Sequence, residues 1–276
     1  MHGLKEVHKE DVRSYWNART CGTNFSDKDK YSKEYFNEIE RCRYHLEPEI
    51  LSFAQFEKFK DKRVLEVGVG AGTDFLQWVR AGAKAYGIDL TPEGVNHVKR
   101  RLEVYGLTAD DVRVADCESL PYEDNTFDLV YSWGVIHHTP DMPRALKEIV
   151  RVCRNGGTCK IMVYNRYSLT SLYVWIREAL LKARPWKSFS WCIYNYVESI
   201  GTKAHTKKEV KRMLVNLPVE KIQIETVLTH CDTLKSSKNN LFKFCAKVLA
   251  MILGGNRVGW FMTIEFNKKK KPPAKL

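Results

Sequence analysis

The residues best suited to chemistry begin at Glu66. Glu66-x-Gly68-x-Gly70-x-Gly72 follows an apolar run, Val64 to Val67, and leads into an amphipathic pattern that starts at Phe75. A strand, a glycine turn and a helix start let backbone N–H groups and a helix N-terminus approach a polar ligand closely. Glycine is needed there because a Cβ would block the approach and because such turns use positive φ. The spacing is Gly-x-Gly-x-Gly, not the Gly-x-Gly-x-x-Gly of the dinucleotide fingerprint. Further on, Ala85 to Ile88 forms a second apolar run that ends in Asp89, where an acid can accept both hydroxyls of a ribose. Two adjacent histidines, His137 and His138, follow a later run, and a neutral imidazole can take a proton near neutral pH. Tyr164 and Asn165 close another run.

These groups need elements to hold them. The spacing predicts strands at Val64–Val67, Lys84–Ile88, Val112–Ala115, Phe127–Ser132, Thr158–Tyr164, Val219–Leu228 and Gly259–Phe266. Helical patterns fall between them. Thr91-Pro92 is a strong helix start, and that helix stops at Gly106. Others cover Met142–Cys153, Lys207–Leu214 and Asn240–Leu253, with Glu10–Asn17, Ser32–Tyr44 and a stretch from Pro48 to near Phe59 before the first strand. Alternating strands and helices predict a parallel sheet covered on both faces, with ligands at the carboxyl ends of the strands. The glycines, Asp89 and the paired histidines all lie at such ends. Residues 165–205 are rich in aromatics, among them Trp175, Trp186, Trp191 and Tyr196. They are too many for a plain connection and read as an inserted helical cap.

Four motifs stand in order: Glu66-x-Gly68-x-Gly70-x-Gly72, Gly87-Ile88-Asp89, Asp116-Cys117-Glu118 and Phe127-Asp128-Leu129-Val130. Over residues 62–164 the sequence resembles the class I S-adenosylmethionine-dependent methyltransferases. It is most similar to the type 11 small-molecule group that includes the ubiquinone and menaquinone methyltransferases. The resemblance implies an α/β fold: a doubly wound, mostly parallel, seven-stranded Rossmann-like sheet whose last strand runs antiparallel between the fifth and sixth. It implies S-adenosyl-L-methionine as cofactor. The backbone of Gly68, Gly70 and Gly72 would contact the methionine carboxylate region and the ribose, and Glu66 would orient that loop or meet the amino group. Asp89 would hold the ribose hydroxyls, and Leu90 would lie against the adenine. Asp116 would accept from the adenine amine, with the Cys117 N–H on a ring nitrogen. Ser132 and Trp133 would close the site near the methionine part. The implied organisation is a helical lid over 1–60, a cofactor-binding core over 61–164, a helical acceptor cap over 165–205, the rest of the core sheet over 206–267 and a disordered basic tail over 268–276. Many relatives carry Leu-Lys-Pro-Gly-Gly before strand five; here the residues are Cys153-Arg154-Asn155-Gly156-Gly157, so the Gly-Gly turn is kept.

Methyl transfer is an in-line displacement in which the cofactor carries the difficult chemistry and the protein supplies position. A base is required only if the acceptor must lose a proton. His137, His138, Tyr164 and Asn165 are the candidates for catalysis, and Tyr194, Glu198 and His205 in the cap are further ones. A packed or backbone-bonded histidine is the alternative for either member of the pair.

The chain has 276 residues, 44% of them hydrophobic, enough for one large domain. No apolar run reaches the roughly 18 residues of a membrane span, and the first residues are too charged for a signal peptide. None of the 8 cysteines stands as Cys-x-x-Cys, so the spacing suggests neither a metal site nor a disulfide scaffold. A cytoplasmic, reducing setting is expected. The net charge of +12 is uneven: residues 165–276 carry 21 Lys+Arg against 7 Asp+Glu, a net of +14, and the rest a net of −2. That asymmetry attracts anionic partners, an anionic membrane surface among them; nucleic acid is not expected, because no binding motif accompanies the charge. The expected function is methyl transfer to a small or medium-sized biosynthetic acceptor, prenylated, lipid-like or another secondary metabolite. A peptide side chain as acceptor, a cofactor-binding module without transfer activity and aminopropyl transfer are the competing readings. Oligomeric state is not written in the sequence.

Overall fold

Val64, Leu65 and Val67 are each about 1% exposed or less, as a strand covered on both faces requires. They form β1 (Arg63–Val67). The computed structural model describes residues 7–199, 201–235 and 240–270. Before β1 come α1 (Lys9–Ala18), α2 (Lys33–Leu46) and α3 (Glu49–Ala54). After it come α4 (Thr73–Arg80), β2 (Lys84–Asp89), α5 (Pro92–Tyr105), β3 (Asp111–Val114), β4 (Phe127–Trp133), α6 (Met142–Val152) and β5 (Cys153–Asn165). The chain goes on through α7 (Leu169–Trp175), one π-helical turn (Ile176–Leu180), α8 (Phe189–Tyr196), β6 (Ala204–His205), α9 (Lys207–Leu214), β7 (Val219–Val227), α10 (Asn240–Leu253), α11 (Gly255–Val258) and β8 (Phe261–Lys268).

The sheet order is β3-β2-β1-β4-β5-β8-β7, with the two-residue β6 pairing the end of β5. The first five of these strands pair in parallel, and β8 lies antiparallel between β5 and β7. This is the doubly wound, mostly parallel sheet expected. β6 is an addition, made where Tyr164 and Asn165 pair Ala204 and His205.

Side chains alternate between the faces of β1. Leu65 and Val67 pack with Leu146 and Ile149 of α6 and with Val210 and Leu214 of α9. Val64 packs on the other face with Phe75 and Trp78 of α4 and Val98 and Leu102 of α5. Glu66 shares that second face, and its Oε2 accepts from Trp78 Nε1 at 2.9 Å. The segment before β1 is bound to the core as well. Arg101 of α5 is 1% exposed and donates to Ala71 O, Thr73 Oγ1, Phe36 O and Glu40, joining α2 to the glycine loop.

Three boundaries differ from expectation. The helix expected from Pro48 to Phe59 breaks at Gln55, whose φ of 58° starts a separate 3₁₀ turn. β5 begins at Cys153, and Arg154 to Gly157 make a bulge where the register against β4 shifts. The basic tail expected from 268 onward is overturned at its start. Lys268 belongs to β8, is 8% exposed and donates to Arg151 O and Cys153 O, and Lys269 N donates to Pro218 O. Burying an ammonium costs too much unless acceptors meet it, and two carbonyls do. Residues 271–276 of that expected tail lie outside the described residues.

The turn from β1 into α4 packs closely on α5. Gly72 has φ +74°, and a Cβ there would stand 2.9 Å from Val98 Cγ2. Gly72→Ala is expected to cost about 1–3 kcal/mol from backbone strain and overpacking together. Its melting temperature should fall by several degrees. A melt that matches the parent would refute this packing.

Candidate active site

The glycine loop is held by the end of β2. Gly68 N and Val69 N both donate to Ile88 O, at 2.8 and 3.1 Å, and Gly70 N donates to Asp89 Oδ2 at 2.9 Å. The other Asp89 oxygen accepts from Thr91 N and Thr91 Oγ1, and Thr91 caps α5 in turn. A Cβ on Gly68, at φ +82°, would overlap Val135 beyond β4. The backbone therefore comes within contact distance of the β4 turn, and a cavity of about 180 Å³ opens above the carboxyl ends of the strands. Glu66, Gly68, Gly70, Asp89, Leu90, Asp116 and Cys117 line one side of it. Trp16 and Cys21 close it from the N-terminal segment, and Trp133, His138, Tyr164, Glu198 and Phe261 line the other side.

Charge on the first side is paired or neutralised. Lys9 bridges Asp116 and Glu118, pinning α1 beside the cavity. Burial, with the Asp74 carboxylate next to it, pushes the Glu66 carboxyl well above the usual range. Asp74 is 2% exposed and takes a two-pronged bond from Arg43 of α2, at 3.0 and 2.9 Å, plus the Tyr44 and Tyr131 hydroxyls at 3.1 Å each. Burial opposes the Arg43 charge, but Asp74 and Glu47 outweigh it and raise its pKa. Glu47 accepts from Trp133 Nε1 at 2.8 Å, so α2 also fixes the end of β4.

The second side holds a chain of proton-bearing side chains. Tyr164 OH donates to Glu198 Oε1 at 2.9 Å, and His138 Nε2 lies 3.2 Å from Glu198 Oε2 without the alignment of a hydrogen bond. His138 Nδ1 is 3.1 Å from both Ser199 Oγ and Thr202 Oγ1. The Thr202 proton is already committed to Ser199 O, at 2.7 Å, so Thr202 accepts from the ring. That assignment puts a proton on Nδ1 and leaves Nε2, facing Glu198 Oε2, as the ring position that gains or loses the second proton. Glu198 is held at φ +54°, an unusual conformation for a glutamate and one that costs about 1–3 kcal/mol. His137, His138 and Glu198 also present ligand atoms within 4.8 Å of one another, a set able to hold a divalent cation.

Known proteins resemble the chain in sequence and in fold. A family model described as a methyltransferase domain matches residues 65–161. A probable phthiotriol/phenolphthiotriol dimycocerosates methyltransferase of Mycobacterium ulcerans is 31% identical over 192 residues, spanning 67% of this chain and 69% of that protein. The chain belongs to the class I S-adenosylmethionine-dependent methyltransferases. Its cofactor is S-adenosylmethionine. A sterol 4-C-methyltransferase of Caenorhabditis elegans is 30% identical over 113 residues, 40% of this chain and 33% of that protein. The chain spans 36% of the length of uncharacterized proteins of Mycobacterium bovis and Mycobacterium tuberculosis, which are 38% identical over 100 residues, again 36% of this chain. Among solved structures, the methyltransferase bound to the Trm112 activator of Haloferax volcanii superposes with a TM-score of 0.63. It covers 95% of this chain and 99% of its own at 15% identity, a likeness of fold.

Several residues of this methyltransferase lie elsewhere than expected. Gly72 does not line the cavity; it packs on Val98 at the start of α4. Ser132 is fully buried behind Trp133 in β4. His137 is buried as well, its ring 4.0 Å from that of Tyr164, and only His138 of the pair reaches the cavity. Asn165 turns away from it, giving its amide to Tyr167 O, Arg257 O and Gly259 O. Of the described residues between 165 and 205 only Glu198 lines the cavity; Trp186 is 75% exposed and Trp191 stacks edge-on with Tyr196, so neither forms the expected acceptor wall. Tyr194 and His205 stay outside as well. Arg43, Glu47 and Asp74 line the cavity without having been expected there. Asp74 stands two residues past Gly72, so an acid facing a glycine loop was the available signal.

Burial, helped by His138, holds the His137 pKa well below its usual value, and burial brings His205 down to about 4. Below about pH 6.5 the unfolded chain binds these protons and the folded chain does not, so stability must fall as pH drops from about 6.5 toward 4. Melting temperature should decline across that window. In His137→Leu the decline should be shallower, and an unchanged slope would show that His137 does not contribute.

Proposed function

We propose that this chain transfers the methyl group of S-adenosylmethionine to a lipid-like acceptor whose attacking atom gives up its proton to the His138–Glu198 pair. The observation that carries the reading is that the glycine loop, Asp89 and Asp116 share one cavity with Tyr164, Glu198 and His138. The cavity fits the cofactor chemically. Asp89 keeps one lone pair, on Oδ2, free beyond its bonds to Gly70 and Thr91, room for one ribose hydroxyl. Leu90 supplies an apolar surface for adenine, with the Asp116 carboxylate and the Cys117 N–H at its edge. The Glu66 carboxyl and the closed Arg43–Asp74 ion pair line the cavity as polar partners for an amino-acid end.

When bound, S-adenosylmethionine supplies an electrophilic methyl group. The residues do the rest. Trp16, Trp133 and Phe261 exclude water from the second side, and Tyr164 holds Glu198 in place. His138 Nε2 takes the acceptor proton, and Glu198 Oε2 stabilises the imidazolium that results. The apolar aromatic lining supports a lipid-like acceptor, as do relatives named for dimycocerosates and sterol methyltransferases.

Asp89→Asn should weaken cofactor binding by about tenfold or more, measured by calorimetry, since hydrogen bonds to a charged group contribute about 1.5–3 kcal/mol. His138→Asn and Glu198→Gln should lower kcat by on the order of 100-fold while cofactor Kd stays within a few-fold. Release of S-adenosylhomocysteine should follow addition of a lipid extract, with mass analysis showing the gain of one methyl group. Release only with the water-soluble fraction would refute the lipid-like acceptor.

A further inference from the structure

We propose that α10, with the exposed stretch around Leu181 and Trp186, docks this chain on an anionic lipid surface. α10 has 14 residues, and among those whose side chains are described only Ala250 is buried. Phe244 is 65% exposed, Met251 76% and Ile252 72%. A helix this apolar ordinarily belongs in a core or in lipid. At about 1.5 Å per residue it is roughly 21 Å long. That is short of the roughly 30 Å hydrocarbon layer, and among the described residues no helix is long and apolar enough to cross a membrane. A short apolar helix with cations at its flanks lies in the interface instead, its side chains among the headgroups and upper acyl chains.

Charge chooses the partner. From Asn240 to Val258 the cations are Lys243, Lys247 and Arg257, and there is no acid. Leu181 and Trp186, each 75% exposed, stand among Arg177, Lys182, Arg184 and Lys187. The one acid of that stretch, Glu178, is already bound by Arg177 and Lys182. Exposed apolar side chains set in unopposed positive charge match a bilayer with anionic headgroups, and tryptophan favours that interface.

The two stretches start from one anchor. Asp232 is 2% exposed and accepts from Thr170 of α7 and from Trp260 N after α11, while the Asn165 amide joins Tyr167 O to Arg257 O. Both lie beside the ends of β5 and β8, where Tyr164 and Phe261 line the cavity. Docking there would bring the cavity to the surface of the bilayer, although it requires no particular acceptor.

The full chain should float with vesicles of phosphatidylcholine mixed with phosphatidylglycerol far more than with phosphatidylcholine alone, and added salt should release it. Met251→Asp/Ile252→Asp and Lys243→Glu/Lys247→Glu should each cut vesicle binding by on the order of tenfold. Melting temperature and cofactor affinity should stay at parental values, which separates loss of docking from loss of folding or of the cofactor site. Absence of flotation with either vesicle would overturn the proposal. So would equal binding to both, or unchanged binding of the aspartate variant. A concentration-dependent dimer, abolished by the same substitutions in a chain that ignores vesicles, would assign the face to a second copy instead.

Discussion

The carboxylate of Asp89 and the carbonyl of Ile88 hold the glycine loop against the end of β2, and the rest of the site depends on that hold. Without it the loop has few partners, because three of its residues are glycines with φ of +82°, +50° and +74°. Such backbone is entropically expensive to order. Here three N–H groups in succession find acceptors on one neighbouring strand end. The same carboxylate reaches Thr91 and so sets where α5 begins. One side chain thus fixes the loop, the cap of the next helix and the floor of the cavity.

A second hold joins the N-terminal helices to this floor. An exposed ion pair contributes about 0–1 kcal/mol, but breaking a buried one costs about 3–5 kcal/mol because a desolvated charge is left behind. Arg43 and Asp74 are of the buried kind, and the Tyr44 and Tyr131 hydroxyls satisfy the remaining carboxylate lone pairs. Arg101 adds a second buried cation between α2 and the loop. α2 is therefore part of the binding floor. α1, held by Lys9 through partly exposed charges, is tied less firmly.

The aromatic segment after β5 takes two directions. Inward it contributes Glu198, in a strained conformation and bonded to Tyr164. Outward it carries Trp186 and Leu181 into solvent. The richness in aromatic residues therefore belongs mainly to a small packed cluster and an exposed edge, and the wall of the cavity on that side is built by β5, β8 and the turn after β4.

The resemblance to the class I methyltransferases pointed to Leu90, Asp116 and Cys117; by itself the sequence determined the order of strands and helices, the glycine loop and Asp89. Each is a local matter: a period of two or 3.6 residues, a backbone that needs glycine, a polar residue at the carboxyl end of an apolar run. The tertiary structure alone decided which of two adjacent histidines meets the cavity. Their rings lie 4.2 Å apart, but Tyr164, far along the chain, covers His137 and leaves His138 to the cavity. Ser132 and Gly72 share the same cause, since one-residue steps along a strand or turn exchange inside for outside. Lys268 was misread as tail because four lysines in a row show no apolar period, while the carbonyls of Arg151 and Cys153 that receive it lie more than a hundred residues away. Glu198 sits 34 residues past Tyr164, and Asp74 finds Arg43 31 residues back. Local spacing carries backbone conformation; the direction of a side chain is set by whatever distant element packs against it.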